Sequence, residues 1–155
     1  MSGYIMDLRE QVGSRPLLQC GASVICLNER NEILLQQRGD DNSWGYCGGS
    51  VELYERVEDA AAREFFEETG LKAESLELFG VFSGPEMAHT YPNGDQVSNI
   101  DIVYICKKYS GSPLPDNREV LELRFFPLDA LPTPIFAANR AVLMKFLDQA
   151  YSDIM

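Results

Sequence analysis

Glu64, Glu67 and Glu68 are crowded into the stretch "GGSVELYERVEDAAAREFFEETGL", residues 48–71. If the run from Val57 to Thr69 is a helix, a turn of about 100° per residue puts the three carboxylates within roughly 100° of its circumference. Like charges at i, i+3 and i+4 destabilise a helix, and partial burial makes their ionisation costlier still. Most acidic stripes are solvated faces. Here Val57, Ala60, Ala61 and Leu71 fall on the same side, with Phe65 and Phe66 pointing elsewhere, so the glutamates stand where an apolar stripe ends, at the edge of the core. A divalent cation would resolve the repulsion. Oxygen ligands suit Mg²⁺ or Mn²⁺, and Mg²⁺ takes a few carboxylates and leaves its other positions to water and substrate phosphates. Gly48 and Gly49 fit the same chemistry, since glycine lets backbone approach a ligand and its carbonyl can add an oxygen. A plain tight turn after Trp44 would use glycine as well.

The rest of the chain must hold that helix in place. Its 155 residues suit one domain with a real core, spanning 1–155, with residues 1–16 as an N-terminal helix and extension. The hydrophobic fraction of 45% is ordinary for a globular chain, and no apolar run is long enough to span a bilayer. The opening "MSGYIMDLREQVGS" has no apolar signal-peptide core, so cytoplasm is the expectation. Four scattered cysteines and one histidine argue against a zinc site or a disulfide framework. The formal net charge of −11, from 24 acidic and 13 basic residues, disfavours nucleic acid and anionic membrane as partners. An anionic substrate would have to be attracted by a bound cation rather than by basic side chains.

Patterning predicts a short helix in "YIMDLREQVG" closed by Gly13, then strands in "LLQCGASVICLN" and "EILLQQR" with a turn at "ERN". "GDDNSWGYCGG" reads as a loop, and Gly70 as the C-cap of the carboxylate helix. Strands follow in "LKAESLELFGVFSG", "VSNIDIVYICKK" and "VLELRFFPL", with turns at "TYPNGDQ" and "GSPLPDNRE". "VSNIDIVYICKK" is apolar on both faces and should be covered on both. A last helix is expected around Val142–Leu147. The sum is an α/β domain with helices on both faces of a mixed sheet.

The box at residues 48–71 resembles that of the Nudix hydrolase family, G-x5-E-x7-R-E-U-x-E-E-x-G-U, with U a bulky apolar residue. Gly49, Glu55, Arg63, Glu64, Phe65, Glu67, Glu68, Gly70 and Leu71 meet every position. With common residues used at roughly 5–7% each, seven fixed identities coincide by chance on the order of once in 10⁸–10⁹ windows, so the match is specific. The resemblance runs from about Leu17 to Leu147. It implies the Nudix fold, an α/β/α sandwich around a mixed β-sheet, and hydrolysis of a nucleoside diphosphate linked to another moiety. Many members read Pro-Gly-Gly where this chain has Cys47-Gly48-Gly49, a loss of rigidity but of no ligand.

Carried onto this chain, the resemblance implies Mg²⁺ (or Mn²⁺) on Glu64 and Glu68, with Glu67 assisting and a Gly49 or Gly48 carbonyl completing the set. Arg63 and Glu55 are expected to orient these ligands. The general base is open between Glu67 and Glu119, the latter six residues before Phe125 as in some members. Arg38, Phe82, Tyr91 and Asn93 are candidate substrate contacts, three of them in or beside "FSGPEMAHTYPNGDQ". A small-molecule nucleotide, with ADP-ribose or a nucleotide sugar favoured, is the expected substrate, and a homodimer is compatible with the commonest soluble symmetry. The rival readings are house-cleaning hydrolysis of oxidised nucleoside triphosphates, a nucleotide sensor without turnover, and an isomerase acting on a prenyl diphosphate. An intact carboxylate cluster disfavours the sensor, and Cys47 alone does not make the isomerase.

Overall fold

The computed structural model describes residues 3–115 and 119–154. In chain order the elements are α1 (Tyr4–Val12), β1 (Leu17–Cys26), β2 (Ile33–Arg38), β3 (Trp44–Gly45), β4 (Cys47–Ser50), α2 (Val57–Thr69), β5 (Lys72–Ala73), β6 (Glu77–Phe82), β7 (Ala88–Thr90), β8 (Gln96–Cys106), β9 (Tyr109–Ser110), β10 (Val120–Phe126) and α3 (Arg140–Ile154). Short 3₁₀ turns occupy Pro85–Met87 and Ala137–Asn139.

β1 is the hub. It runs parallel to β8 from Leu17↔Val97 to Cys26↔Cys106 and antiparallel to β4, and β8 takes β6 and β7 antiparallel on its far side. Because successive strand residues face opposite ways, β1 feeds two cores at once. Ala22, Val24 and Cys26 meet Ala60, Ala61 and Phe65 of α2 on one face. Ile25, Leu27 and β8's Val103 meet Val142, Leu143 and Phe146 of α3 on the other. The result is the α/β/α sandwich around a mixed sheet. A second, antiparallel sheet of β10, β2 and β3 closes the α3 side, where Trp44 meets Phe126 edge to face at 5.1 Å.

Three expectations change. The glycine-rich run at 39–49 is a loop only to Ser43. Trp44–Gly45 and Cys47–Ser50 are strands with Trp44, Tyr46 and Cys47 buried, because β2 and β1 supply long-range pairing that local composition does not announce. β1 and β2 are joined by the expected turn, yet they belong to different sheets and share only a bridge at Leu27↔Ile33. Phe65 does not point away from the apolar stripe. It is fully buried, one turn after Ala61, and its burial contributes about 1.5–3 kcal/mol. Phe66 is the exposed one. The loop expected at 111–119 includes residues 116–118, which lie outside those described.

α2 begins with Glu58 and Asp59 in its first turn, where the helix dipole favours acid. It ends at Gly70, in the left-handed conformation (φ 75°), whose N–H donates to the Phe66 carbonyl. Its last turn holds no basic residue. Glu67 and Glu68 therefore sit at the end of the helix where the dipole opposes them.

Candidate active site

The Gly48-Gly49 pair lies in β4, in register with Ser23 and Ala22 of β1. A methyl group on Gly49 would lie 2.5 and 2.6 Å from the two carboxylate oxygens of Glu64. One on Gly48 would lie 2.8 Å from the Ser23 Cβ and 2.9 Å from the Ala22 carbonyl. Both glycines are thus demanded by close approach: Gly49 by the carboxylate helix, Gly48 by β1.

Glu68 is the deepest of the acids, with 9% exposure. The Gln36 side chain and the Gly48 N–H lie beside its carboxylate and favour its charged form, but Oε2 is buried with no partner. Burial pushes its pKa well above the usual carboxylate range, against the pull of Gln36 and Gly48 and with added push from Glu64 and Glu119. Glu64 is raised as well, by burial first and by Glu67 and Glu119 after it, with Arg63 opposing. Glu119 is exposed at the start of β10, and its charge reaches both. Glu67 is the most open of the three clustered acids.

Arg63 ties the loop to the helix. Its guanidinium donates to both oxygens of Glu55 (2.7 and 3.0 Å), to the Ser50 carbonyl (3.1 Å), to Glu64 Oε1 (2.8 Å) and to Glu67 Oε2 (3.3 Å). The fork geometry is the kind only arginine provides. Glu55 is held below the usual carboxylate range by Arg63, and its Oε1 accepts the Glu52 N–H.

These residues can hold a divalent cation. An orphaned, buried carboxylate oxygen on Glu68, beside Glu64 and within the field of Glu119, is an all-oxygen, acid-rich donor set suited to a hard ion. Among the described residues no three His, Cys, Asp or Glu side chains are drawn together as a closed metal cage. Cys47 contributes no thiolate. It is fully enclosed, its Sγ–H points at the Val24 carbonyl (3.5 Å), and burial, with Glu68 beside it, holds its pKa well above the ordinary thiol value.

Of the candidate substrate contacts, two come together. Arg38 pairs with Asp40 (2.9 Å) and covers the Phe136 ring at 3.8 Å. His89 stands edge-on to both Phe136 and Tyr91, at 4.7 Å each, and its Nε2 is buried without a partner. His89, half-buried on β7, is the middle of this aromatic cluster. Phe82 instead stacks on Phe79 (5.7 Å) beneath Lys145. Asn93 is engaged in its own turn, exchanging hydrogen bonds with Asp95.

Two buried polar residues of the sheets were missed. Gln36 is a buried amide on the same strand face as the buried Leu34, and Asp101 is a carboxylate inside the apolar run "VSNIDIVYIC". A polar residue at an inward position of an otherwise apolar strand was the available signal in each case.

The family model of the NUDIX domain matches residues 17–146. The chain belongs to the NUDIX family. An ADP-ribose pyrophosphatase of Methanocaldococcus jannaschii is 35% identical over 120 residues, covering 75% of this NUDIX chain and 66% of its own. A Bacillus subtilis protein named "Putative 8-oxo-dGTP diphosphatase" is 46% identical over 66 residues, 43% of this chain and 44% of its own. The crystal structure of a MutT NUDIX hydrolase from Burkholderia pseudomallei superposes with a TM-score of 0.70 at 30% identity, covering 83% of this chain and 97% of that one. The chain thus spans between about half and two thirds of the curated relatives it matches. NUDIX hydrolases as a family work with divalent metal ions.

Proposed function

We propose that the protein is a divalent-cation-dependent pyrophosphohydrolase, cleaving the diphosphate of a nucleoside diphosphate linked to another moiety, with ADP-ribose or a nucleotide sugar as the substrate class. The observation that carries this is Glu68: a buried carboxylate with an unpartnered oxygen, kept among other acids at the wrong end of a helix dipole. A fold gains nothing from that arrangement unless a cation completes it. The archaeal relative supports ADP-ribose among the possible diphosphates. A second reading, hydrolysis of an oxidised nucleoside triphosphate, is favoured by the Bacillus relative's name.

In this reading Glu64 and Glu68 hold Mg²⁺ or Mn²⁺, with Glu67 and the Gly49 carbonyl assisting. The ion, when bound, supplies Lewis-acid stabilisation of phosphoryl charge and activation of water. Arg63 keeps Glu64 aimed while anchoring the Glu55 loop, so the acids are preorganised before substrate arrives. Glu119, already within the field of Glu64 and Glu68, and Glu67, the most open of the three clustered acids, are the two candidate bases. Arg38 and Tyr91, in the aromatic cluster around His89, supply the surface for a base or sugar, with Phe82 and Asn93 as further candidate contacts. Among the described residues no helix is long and apolar enough to cross a membrane. The acidic balance supports a small nucleotide in preference to a polynucleotide, and action in the cytoplasm, as a homodimer, belongs to the same proposal.

The test is turnover of ADP-ribose, nucleotide sugars, CDP-alcohols, dinucleoside polyphosphates and oxidised deoxynucleoside triphosphates with Mg²⁺ or Mn²⁺, products being resolved by chromatography. Release of phosphate monoesters from ADP-ribose or a nucleotide sugar, lost in Glu68→Gln, supports the reading. Preference for a triphosphate shifts it to the second substrate class. Cation-dependent nucleotide binding without cleavage refutes the enzyme.

A further inference from the structure

A second buried carboxylate stands behind the first, on the opposite face of the sheet. Asp101 of β8 has 7% exposure and faces away from α2. Its Oδ1 accepts from Ser23 Oγ (2.7 Å) and its Oδ2 from the Tyr46 hydroxyl (2.8 Å). The Tyr46 N–H in turn donates to Asn139 Oδ1 (3.1 Å), at the foot of α3. Burial raises the Asp101 carboxyl, and the two hydroxyl donors partly offset that.

The two residues held by Asp101 are the ones that frame Gly48. Tyr46 precedes it by two positions, and Ser23 is its cross-strand partner, packed so closely that Gly48 can carry no side chain. On the other face, the Gly48 N–H lies beside the Glu68 carboxylate and favours its charged form. A continuous path therefore joins the two buried acids through one glycine: Asp101 to Ser23, Ser23 against Gly48, and Gly48 to Glu68.

We propose that Asp101 is a positioning residue, which through Ser23 and Tyr46 fixes the Gly48 N–H and so the orientation of the Glu68 carboxylate toward the cation. This rests on the metal-dependent reading given above and assigns Asp101 a part in it. The choice of residue supports the assignment. A threonine or asparagine offers a single acceptor oxygen, whereas a carboxylate sets one oxygen against each of the two hydroxyls and so holds both sides of Gly48. Groups one layer behind a metal ligand commonly control affinity by about 10–100-fold.

The test uses the full chain in three variants, Asp101→Asn, Ser23→Ala and Tyr46→Phe, with Val142→Ala as a control for lost core packing. Binding of Mn²⁺ alone is measured by titration calorimetry, exchange of the Gly48 amide by NMR on metal-free protein, and kcat and KM on the best substrate. Ser23→Ala keeps the buried acid and removes only the link, so it serves if Asp101→Asn folds poorly. The expected result is faster Gly48 exchange, Mn²⁺ binding weakened about 10-fold and kcat lowered with KM little changed in Asp101→Asn and Ser23→Ala. Val142→Ala should lower the melting temperature and move none of these. Wild-type Mn²⁺ affinity and kcat in both Asp101→Asn and Ser23→Ala would overturn the proposal alone. A wild-type protein that neither binds Mn²⁺ nor turns over any substrate overturns it together with the reading beneath it.

Discussion

Gly49→Ala isolates the packing of the carboxylate helix on β4 in a single methyl group. Gly49 has no left-handed φ, so alanine meets no backbone strain, and the whole effect falls on the Glu64 oxygens 2.5 and 2.6 Å from the new carbon. Contact at that distance cannot persist. Glu64 is pinned by Arg63 at 2.8 Å and mostly buried, so either its carboxylate swings off the site or α2 lifts from the sheet. Overpacking of this kind costs about 1–3 kcal/mol. At about 2–4 °C per kcal/mol for a chain of this size, the melting temperature should fall by ~2–12 °C. Displacing a carboxylate proposed to hold the cation should lower kcat by about 10–100-fold. Glu64→Asp draws the carboxylate back by one methylene, about 1.5 Å. The double variant should therefore recover most of the lost stability but none of the turnover, a coupling measurable by thermal melts of all four proteins. Gly49→Ala with the wild-type melting temperature and kcat would show that Glu64 does not rest on Gly49. A double variant as unstable as the sum of its parts would place the clash elsewhere.

Glu68→Gln should abolish metal-dependent turnover while the metal-free protein melts higher at pH 8, since the amide keeps an acceptor for Gly48 and Gln36 and buries no charge; a lower melting temperature would contradict the repulsion argument. The pKa values of Glu64 and Glu68 are raised in the folded state, so the native protein holds more protons than the unfolded chain above about pH 4.5. The stability they contribute is full below that value and is lost as pH rises through their folded pKa values. Glu55, lowered by Arg63, acts with the opposite sign, and its contribution is lost only as pH falls below about 4.5. Melting curves from pH 5 to 8 with chelator should therefore slope downward, and Mn²⁺ at 100 times its Kd should add about 2.7 kcal/mol, most at the alkaline end; a flat chelated profile refutes the assignment. Tyr54 lies fully exposed at φ 66°, a conformation that penalises a bulky side chain, so Tyr54→Gly should raise the melting temperature by about 2–4 °C. No rise would mean the ring makes a compensating contact.

Much of this site is local, and what is local can be read from sequence. α2 shows itself by its 3.6-residue spacing and by Gly70, and the crowding of Glu64, Glu67 and Glu68 is visible because helix geometry alone brings them together. Arg63 reaches Glu64 and Glu67 from the same turn, and Glu55 from the loop just before the helix. Phe65 lies only about 40° from Ala61 around the helix and so belongs to the apolar stripe by angle alone, and the packing of α2 on β1 and β4 makes it the centre of that stripe. The strands at 44–50 were hidden for a different reason. Their pairing partners lie on β1 and β2, and a run rich in glycine has little propensity of its own to declare it. Gln36 and Asp101 are the most instructive cases. Each is a polar residue in an apolar strand, and each becomes intelligible only when β1, β2, β4 and β8 are placed side by side. Gln36 then supplies a donor to Glu68 from one strand, and Asp101 secures the glycine that supplies the other. A carboxylate that must stay charged inside a protein needs donors from backbone and side chains that are distant in sequence. The acids announce the chemistry, but the groups that make the acids tolerable come from the sheet, where sequence separation conceals them.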